Sequence, residues 1–376
     1  MARGAGGSLG LRLIAAILAL DTLAFAAYYT ASRAYVRDFL GEVEAYRYVA
    51  VLVAAETVPV LLAVALGVLG EAFRGRRLVA AVSVLRALFY PLVVFVDPKL
   101  IVIPVFLGSV FGYLFYINAL GALLESVRGS ARTYAVVTLV FPIFWSIGSL
   151  VPGVLEPIGG YTIVFAFVGL LGGLASALLA LASRPGDSGA PGYSSVVASL
   201  KLLKPRLIIV LLAAGAGLNL FWNIMSIKLY ETSGSLLLFG LIGGTLTTIL
   251  STVARPVAGV LADKVEPIKM LAAVYATYTV YGLLMYRLEG MPFIILWLIP
   301  IYPFREVAQT MTISRSLPKE YQVTAASIIT LTYSLPSITY PILYFVGVSV
   351  AEAAAIYVAT LTLSTIVLVT VRGAQG

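Results

Sequence analysis

The sequence contains neither cysteine nor histidine, and charged residues make up only 11% of it. Without cysteine the chain has no disulfide framework, thiolate metal site or thiol nucleophile, and we expect neither a metal nor a cofactor. Asn, Gln and Met are also scarce, a composition that indicates a thermophilic source. A soluble domain has about 25% charged residues, so this chain has too little polar surface for a water-soluble globule. Its 61% hydrophobic content and mean hydropathy of +1.02 indicate an integral membrane protein.

Long apolar runs fill most of the chain, and the alternation typical of membrane β-strands is missing. A helix needs about 20 apolar residues to cross the hydrocarbon. The sequence therefore predicts an all-α integral membrane fold with about twelve transmembrane helices. The predicted spans are 11–32, 47–70, 78–96, 100–125, 133–155, 161–183, 207–230, 236–261, 269–288, 292–314, 322–346 and 351–371.

The net charge of +8 comes from basic residues that lie between the apolar runs. They form no single basic face, so we expect no nucleic-acid partner. If the N-terminus is cytoplasmic, the inner loops hold more Lys and Arg than the outer loops by more than about two to one. This bias predicts a multi-pass protein of the cell membrane with both termini in the cytoplasm and the lipid bilayer as its partner.

A polar segment, residues 183–205, interrupts the apolar pattern near the middle, and its Pro, Gly and Ser content is typical of a linker. It predicts an N-terminal six-helix bundle (1–183), a cytoplasmic linker (184–206) and a C-terminal six-helix bundle (207–376). The loops "GVLGEAFRGRR" and "GVLADKVEPIK" begin alike about 190 residues apart, on the same membrane side. They predict a parallel repeat, with a pseudo-twofold axis along the membrane normal.

These loops resemble the motif Gly-x-x-x-Asp-Arg-x-Gly-Arg-Arg of the major facilitator superfamily, a family of secondary transporters with two six-helix halves. The first loop has Glu for Asp and one extra residue before its second glycine, and the second loop lacks that glycine. The resemblance implies transport by alternating access, by a monomer. The alternative is that the charged residues of these loops only set the membrane topology. The matching residues are Gly67, Glu71, Gly75, Arg76, Arg77, Gly259, Asp263 and Lys264.

A second motif is similar to one in the fifth helix of proton–drug antiporters of that family, Gly-x-x-x-Gly-Pro-x-x-Gly-Gly. The stretch 148–160 reads "GSLVPGVLEPIGG", with Pro152 and Gly153 in swapped order and the last glycine pair displaced. This resemblance implies export in exchange for protons.

Asp21 lies in the middle of the first predicted span, where an isolated carboxylate facing lipid is costly. Phe25, Tyr28 and Ser32 share its helical face. This stripe of polar and aromatic residues on one helical face predicts that Asp21 carries protons or binds substrate in a central cavity. Hydrogen bonding between helices is the alternative.

Similar stripes occur on other spans. The seventh has Asn219 and Asn223, and the eleventh has Tyr333 and Ser337, where buried phenols need a partner or water. The family resemblance adds Tyr113 and Tyr116 of the fourth span as cavity-lining residues.

Four further charges lie within predicted spans: Glu56, Arg86, Arg305 and Glu306. Arg86 is near the middle of the third span, so it should pair with Asp21 or Glu56. Arg305 and Glu306 diverge by about 100° on a helix and need not pair with each other. With no histidine, a proton carrier must be a carboxylate. The candidates are Asp21, then Glu306, whose role in coupling or in structure stays open, then Glu56.

No phosphate-binding loop with the pattern Gly-x-x-x-x-Gly-Lys-Ser/Thr occurs, so ATP drive within the chain is not expected. The sequence favours a proton-coupled exporter of small organic or amphipathic solutes, with a small-molecule substrate and protons as partners. An importer or facilitator of the same fold is the alternative. An integral membrane enzyme or a transporter-like sensor is a more distant one.

Overall fold

A computed structural model describes residues 10–40, 42–72, 76–127, 129–183, 205–233, 238, 240–348 and 350–373. Within these ranges the chain is helical almost throughout and forms no strand. The α-helices, numbered in chain order, are α1 Leu11–Leu40, α2 Glu42–Thr57, α3 Pro59–Ala72, α4 Arg76–Val82, α5 Arg86–Leu92, α6 Val102–Val127, α7 Ala131–Val137, α8 Val140–Ala182, α9 Pro205–Ser233, α10 Thr247–Lys264, α11 Pro267–Arg287, α12 Gly290–Trp297, α13 Tyr302–Arg315, α14 Gln322–Ser334, α15 Thr339–Val346 and α16 Val350–Gly373.

Among the described residues, nine helical segments are long and apolar enough to cross a membrane. These nine segments correspond to ten of the predicted spans, because the stretch Ala131–Ala182 covers both the fifth and the sixth. Within α8 the backbone leaves helical geometry at Gly159 and Gly160, and Gly160 has a φ of 65°. A left-handed φ of this kind favours glycine, so the glycine pair divides α8 into two helices.

The other two predicted spans, 78–96 and 322–346, are not continuous helices. The first consists of α4, the 3₁₀ turn Ser83–Leu85 and α5. The second consists of α14, the 3₁₀ turn Leu335–Ile338 and α15. Pro336 lies in the second turn, where its missing N–H cannot continue an α-helix.

Large apolar side chains cover the outside of the helices. Leu181 is 75% exposed, Phe95 72% and Leu150 71%. Exposure of such residues in water would be unfavourable, whereas in a bilayer they contact lipid. The fold is therefore an all-α integral membrane fold.

The chain packs as two compact units. The first contains the described residues of 1–129, 144–202 and 314–331, and the second those of 130–143, 203–313 and 332–376. In the first unit, Tyr28, Tyr90 and Phe165 are part of a buried core between α1, α5 and α8. The division into halves at 184–206, which concerns the repeat, stays a prediction.

Candidate functional site

Asp21 and Arg86 form an ion pair inside the first unit. Arg86 donates from Nη1 to Asp21 Oδ1. Its Nε donates to the carbonyl oxygen of Gly172 at 2.8 Å, and its guanidinium carbon lies 4.0 Å from the ring centroid of Phe115. The prediction that Arg86 has a carboxylate partner is confirmed, and the partner is Asp21.

Arg86 thereby joins four helical segments. It is the first residue of α5, directly after a 3₁₀ turn, and it contacts α1, α6 and the second part of α8. A Cβ at Gly172 would lie 3.2 Å from Arg86 Nε, so glycine makes room for the guanidinium. Asp21 accepts this one hydrogen bond among the described residues, and its side chain is 14% exposed. Only one of its two oxygens is therefore held by the pair.

Glu56 pairs with Arg33 and not with Arg86. Arg33 donates to both Glu56 oxygens at 2.5 Å, and Tyr28 donates to Oε1 at 2.8 Å. Arg33 also donates to Ser32 Oγ at 2.8 Å, and its guanidinium lies 3.9 Å from the ring centroid of Tyr29. Both carboxylate oxygens of Glu56 are therefore occupied.

Glu306 pairs with Arg255 inside the second unit. Arg255 donates from Nη1 to Glu306 Oε1 at 2.9 Å and from Nη2 to Oε2. The same Nη1 donates to Thr138 Oγ1 at 2.7 Å, and the Tyr134 hydroxyl lies 3.3 Å from Glu306 Oε1. The Glu306 side chain is only 8% exposed. This carboxylate is also held at both oxygens.

Arg305, the neighbour of Glu306, points away from this pair and toward aromatic side chains. Its guanidinium lies 4.9 Å from the ring centroid of Tyr333. The helix is interrupted between the end of α12 at Trp297 and the start of α13 at Tyr302, beside Pro300 and Pro303. Arg305 is therefore in the first turn of a helix that begins within the apolar region.

The polar stripes of the seventh and eleventh spans meet within the second unit. Ser337 donates to Asn219 Oδ1 at 3.2 Å, and Asn219 Nδ2 donates to the Gly215 carbonyl at 3.0 Å. The Asn223 side chain lies outside the described residues. Tyr113, Tyr116 and Tyr333 are half-buried, Phe25 is 43% exposed and Tyr28 is fully buried. Their role in lining a substrate path stays a prediction.

The second loop motif forms a tight helix contact. Asp263 Oδ1 and Oδ2 accept the backbone N–H groups of Ala131 and Arg132 at 2.9 Å each. A Cβ at Gly259 would lie 2.8 Å from the Ala131 carbonyl oxygen and 2.7 Å from Ala135 Cβ. Asp263 therefore contacts the N-terminal end of α7.

The first loop motif is described only in part. A Cβ at Gly67 would lie 2.9 Å from Ser327 Oγ, which is the same kind of close contact with α14. Arg77 and Lys264 are exposed. Gly75 and the side chains of Glu71 and Arg76 lie outside the described residues.

Two members of the charged pairs, Arg33 and Arg255, were missed by the sequence analysis. Arg33 lies just beyond the first predicted span, 11–32, but α1 continues to Leu40 and keeps it within the helix. Arg255 lies in the apolar eighth span, and its pairing with Glu306 was not predicted. The usable signal was its isolation, since an arginine within a span needs a counter-charge.

Comparison with protein families and solved structures identifies the fold. The profile of the Major Facilitator Superfamily matches residues 14–341. A search of curated protein sequences gives no match. The structure resembles that of the human organic anion transporter MFSD10 (TETRAN), with 14% identity and a TM-score of 0.70 over 95% of this chain and 98% of that chain.

Two bacterial structures are similarly close. The E. coli fucose:proton symporter FucP has 12% identity and a TM-score of 0.66 over 95% of this chain and 97% of that chain. A bacterial homologue of the iron transporter ferroportin has 11% identity and a TM-score of 0.70 over 96% of this chain and 99% of that chain. At such identities the likeness shows the fold alone, but the sequence profile covers most of the chain. The chain therefore belongs to the Major Facilitator Superfamily of membrane transporters.

Proposed function

We propose that the protein is a secondary active transporter that exports small organic or amphipathic solutes from the cell in exchange for protons, with Asp21 as the proton carrier. It works in the cell membrane by alternating access, with both termini in the cytoplasm. Members of its family are transporters and not enzymes. The observation that carries the proposal is the contrast between Asp21 and the other two carboxylates paired with arginine.

Asp21 is the carboxylate that a proton can reach at the least cost in broken contacts. Glu56 and Glu306 each accept hydrogen bonds from arginine at both oxygens and lie beside a tyrosine hydroxyl. Protonation of either would weaken several charge-assisted bonds. Asp21 accepts one such bond among the described residues, which leaves its second oxygen available to a proton.

Protonation of Asp21 has a mechanical consequence through Arg86. The neutral acid attracts the guanidinium far less, so the link of Arg86 to α1 weakens while its links to Gly172 and Phe115 remain. The contact between α1 and α5 therefore differs in strength between the two protonation states. A difference of this kind shifts a conformational equilibrium. Protonated Asp21 therefore favours one conformational state of the transporter, and ionised Asp21 favours another.

The direction of transport is inferred from the fifth-span motif. Gly148 packs directly on α1, since a Cβ there would lie 2.5 Å from the Leu23 carbonyl oxygen and 2.8 Å from Ala26 Cβ. The last glycines of the motif, Gly159 and Gly160, form the break in α8. The resemblance to the antiporter motif thus falls on residues with specific structural roles, and this favours export.

Proton flux in proteoliposomes tests the proposal. Vesicles containing the purified protein and the pH dye pyranine are loaded with benzenesulfonate, choline or xylose and diluted, so that solute flows outward. Exchange for protons acidifies the lumen for at least one solute. A lumen that becomes alkaline indicates symport, solute flux without a pH change indicates a facilitator, and either result overturns the proposal.

Asp21→Asn identifies the carrier. It keeps size and hydrogen bonding but removes the titratable charge, so we expect a loss of at least tenfold in proton-coupled flux. The matched control is Asp38→Asn, an aspartate of the same unit that accepts a hydrogen bond from Tyr161 at 2.5 Å. Wild-type flux and pH dependence in Asp21→Asn would show that Asp21 only packs.

A further inference from the structure

Arg305 is a buried cation without a counter-charge in the described part of the chain. It is 4% exposed, and no described carboxylate lies within salt-bridge distance of it. Its Nε and Nη2 have no hydrogen-bond partner among the residues that the structure describes. A guanidinium in this position is costly to keep, so its retention calls for an explanation.

Hydroxyl groups without partners surround this guanidinium. Tyr275 and Tyr278, on one face of α11, and Tyr333 on α14 are close enough to Arg305 to interact with it electrostatically. All three hydroxyl groups are buried; those of Tyr278 and Tyr333 have no hydrogen-bond partner among the described residues, and that of Tyr275 lies beside the Arg305 guanidinium. Three segments of the second unit, α11, α13 and the end of α14, therefore bring buried hydroxyl groups and the guanidinium together in one region.

Gln309 supplies an acceptor to the same region. It lies one helical turn after Arg305 on α13, so the two side chains share a face. Its Nε2 donates to Thr332 Oγ1 at 3.0 Å, while its Oε1 is buried and has no partner within the described ranges. The cluster thus offers several donors, a positive charge and one acceptor.

We propose that Arg305 with Tyr275, Tyr278 and Tyr333 binds the anionic group of the transported solute, a carboxylate, sulfonate or phosphate ester. The assignment rests on the proposed transport function in taking this anion to be substrate. An anion would accept hydrogen bonds from the guanidinium and the hydroxyl groups together, and Gln309 Oε1 would accept one from a neighbouring hydroxyl or amino group of the solute. The aromatic rings around the cluster suit an apolar body attached to the anion.

The adjacent carboxylate does not neutralise the cluster. Both oxygens of Glu306 are held by Arg255, so the charges of these two residues neutralise each other. The positive charge of Arg305 stays without compensation from Glu306. Unsatisfied buried donors discriminate strongly against a solute that lacks the matching acceptor. The site therefore selects an anion over a neutral isostere.

Thermal unfolding of the purified protein tests binding. Benzenesulfonate is compared with benzenesulfonamide, which keeps the ring and the sulfonyl group but lacks the negative charge. We expect the sulfonate to raise the midpoint in a concentration-dependent way, and the sulfonamide to bind at least tenfold more weakly. Equal stabilisation by the two probes would overturn the proposal.

A phospholipid headgroup could supply the same chemistry, so the lipid is varied. The measurement is repeated in nanodiscs of phosphatidylcholine alone and of phosphatidylcholine with phosphatidylglycerol. A sulfonate effect in both supports a soluble anion. Stabilisation by phosphatidylglycerol that abolishes the sulfonate effect would assign the site to lipid and overturn the proposal.

Substitutions at the cluster test which residues bind the anion. Arg305→Gln should weaken sulfonate binding at least tenfold and raise the midpoint of the ligand-free protein, since it removes an unpaired buried charge. Tyr333→Phe should weaken binding about threefold to tenfold, and Tyr161→Phe, a tyrosine of the other unit, should leave it unchanged. If Arg305→Gln fails to fold, Arg305→Lys serves, with reduced but measurable affinity. Unchanged sulfonate affinity in a folded Arg305 variant would overturn the proposal.

Failure of this inference can be distinguished from failure of the transport proposal. Proton-coupled flux of choline or xylose by a wild-type protein that does not bind the sulfonate would refute the anion site and leave the transport proposal standing. Sulfonate binding that depends on Arg305, without flux of any probe, would support the anion site and refute transport.

Discussion

Asp263 holds the beginning of α7: its two carboxylate oxygens accept the N–H groups of Ala131 and Arg132, each at 2.9 Å. The first N–H groups of a helix have no partner within the helix, and a negative charge there also interacts favourably with the helix dipole. An acidic residue of the family loop motif therefore acts as a cap for a helix from the other half of the sequence.

Asp263→Ala should lower the free energy of unfolding by about 0.5–2 kcal/mol, the range for loss of a helix cap. Thermal unfolding of the purified protein measures the change. Glu266→Gln is the control, because Glu266 forms an exposed ion pair with Lys269 at 3.1 Å and should cost less than about 1 kcal/mol. Equal effects of the two substitutions would contradict the capping role.

The repeat extends this prediction to Glu71. Gly67 approaches Ser327 as Gly259 approaches Ala135, with the same sequence offset of about 192 residues. By that offset Glu71 should cap the N–H groups of Val323 and Thr324 as Asp263 caps α7. Glu71→Ala should shift the population toward the inward-open state, measured by distances between spin labels. An unchanged distance distribution would contradict a role of Glu71 in this equilibrium.

Gly259→Ala should destabilise the protein by about 1–3 kcal/mol, the typical cost of overpacking. The new Cβ would meet the Ala131 carbonyl oxygen at 2.8 Å, and a backbone atom cannot move aside cheaply. Gly153→Ala is the matched control, because nothing lies within 4 Å of its Cβ position, and it should be neutral or stabilising. Similar unfolding midpoints for the two variants would contradict the close contact.

Arg86→Met should cost about 3–5 kcal/mol, because it leaves Asp21 as an unpaired charge within the membrane. The double variant Asp21→Asn with Arg86→Met should recover much of this loss. A double-mutant cycle on unfolding free energies gives the coupling between the two side chains. Additive effects would show that the pair contributes no interaction energy.

The Glu306 cluster allows a graded comparison of two hydrogen bonds. Thr138→Val removes a buried acceptor that lies 2.7 Å from Arg255, and should cost about 1.5–3 kcal/mol as a bond to a charged group. Tyr134→Phe removes a longer contact of 3.3 Å to Glu306 and should cost less, about 0.5–1.5 kcal/mol. Unfolding midpoints that rank in the reverse order would contradict the assigned contacts.

The sequence predicted the fold class because membrane helices must satisfy their backbone within long apolar runs. It also predicted a carboxylate for Arg86, since an unpaired charge there is costly. It could not reveal that Glu306 pairs with Arg255, because that choice depends on helix rotation and packing. The 3₁₀ turns Ser83–Leu85 and Leu335–Ile338 were missed for a similar reason, since apolar runs give helix length but not local winding.

Helix α1 carries Asp21 and Arg33, which lie about 18 Å apart along the helix axis at ~1.5 Å per residue. That distance is more than half of a hydrocarbon core of about 30 Å. A proton that binds Asp21 has therefore crossed only part of the transmembrane voltage, while one that passes through has crossed all of it. Full passage of one charge corresponds to about 2.3 kcal/mol per 100 mV. With Asp21 as the proposed carrier, proton binding there should depend on membrane potential, and an imposed potential should load or unload this carboxylate at constant pH.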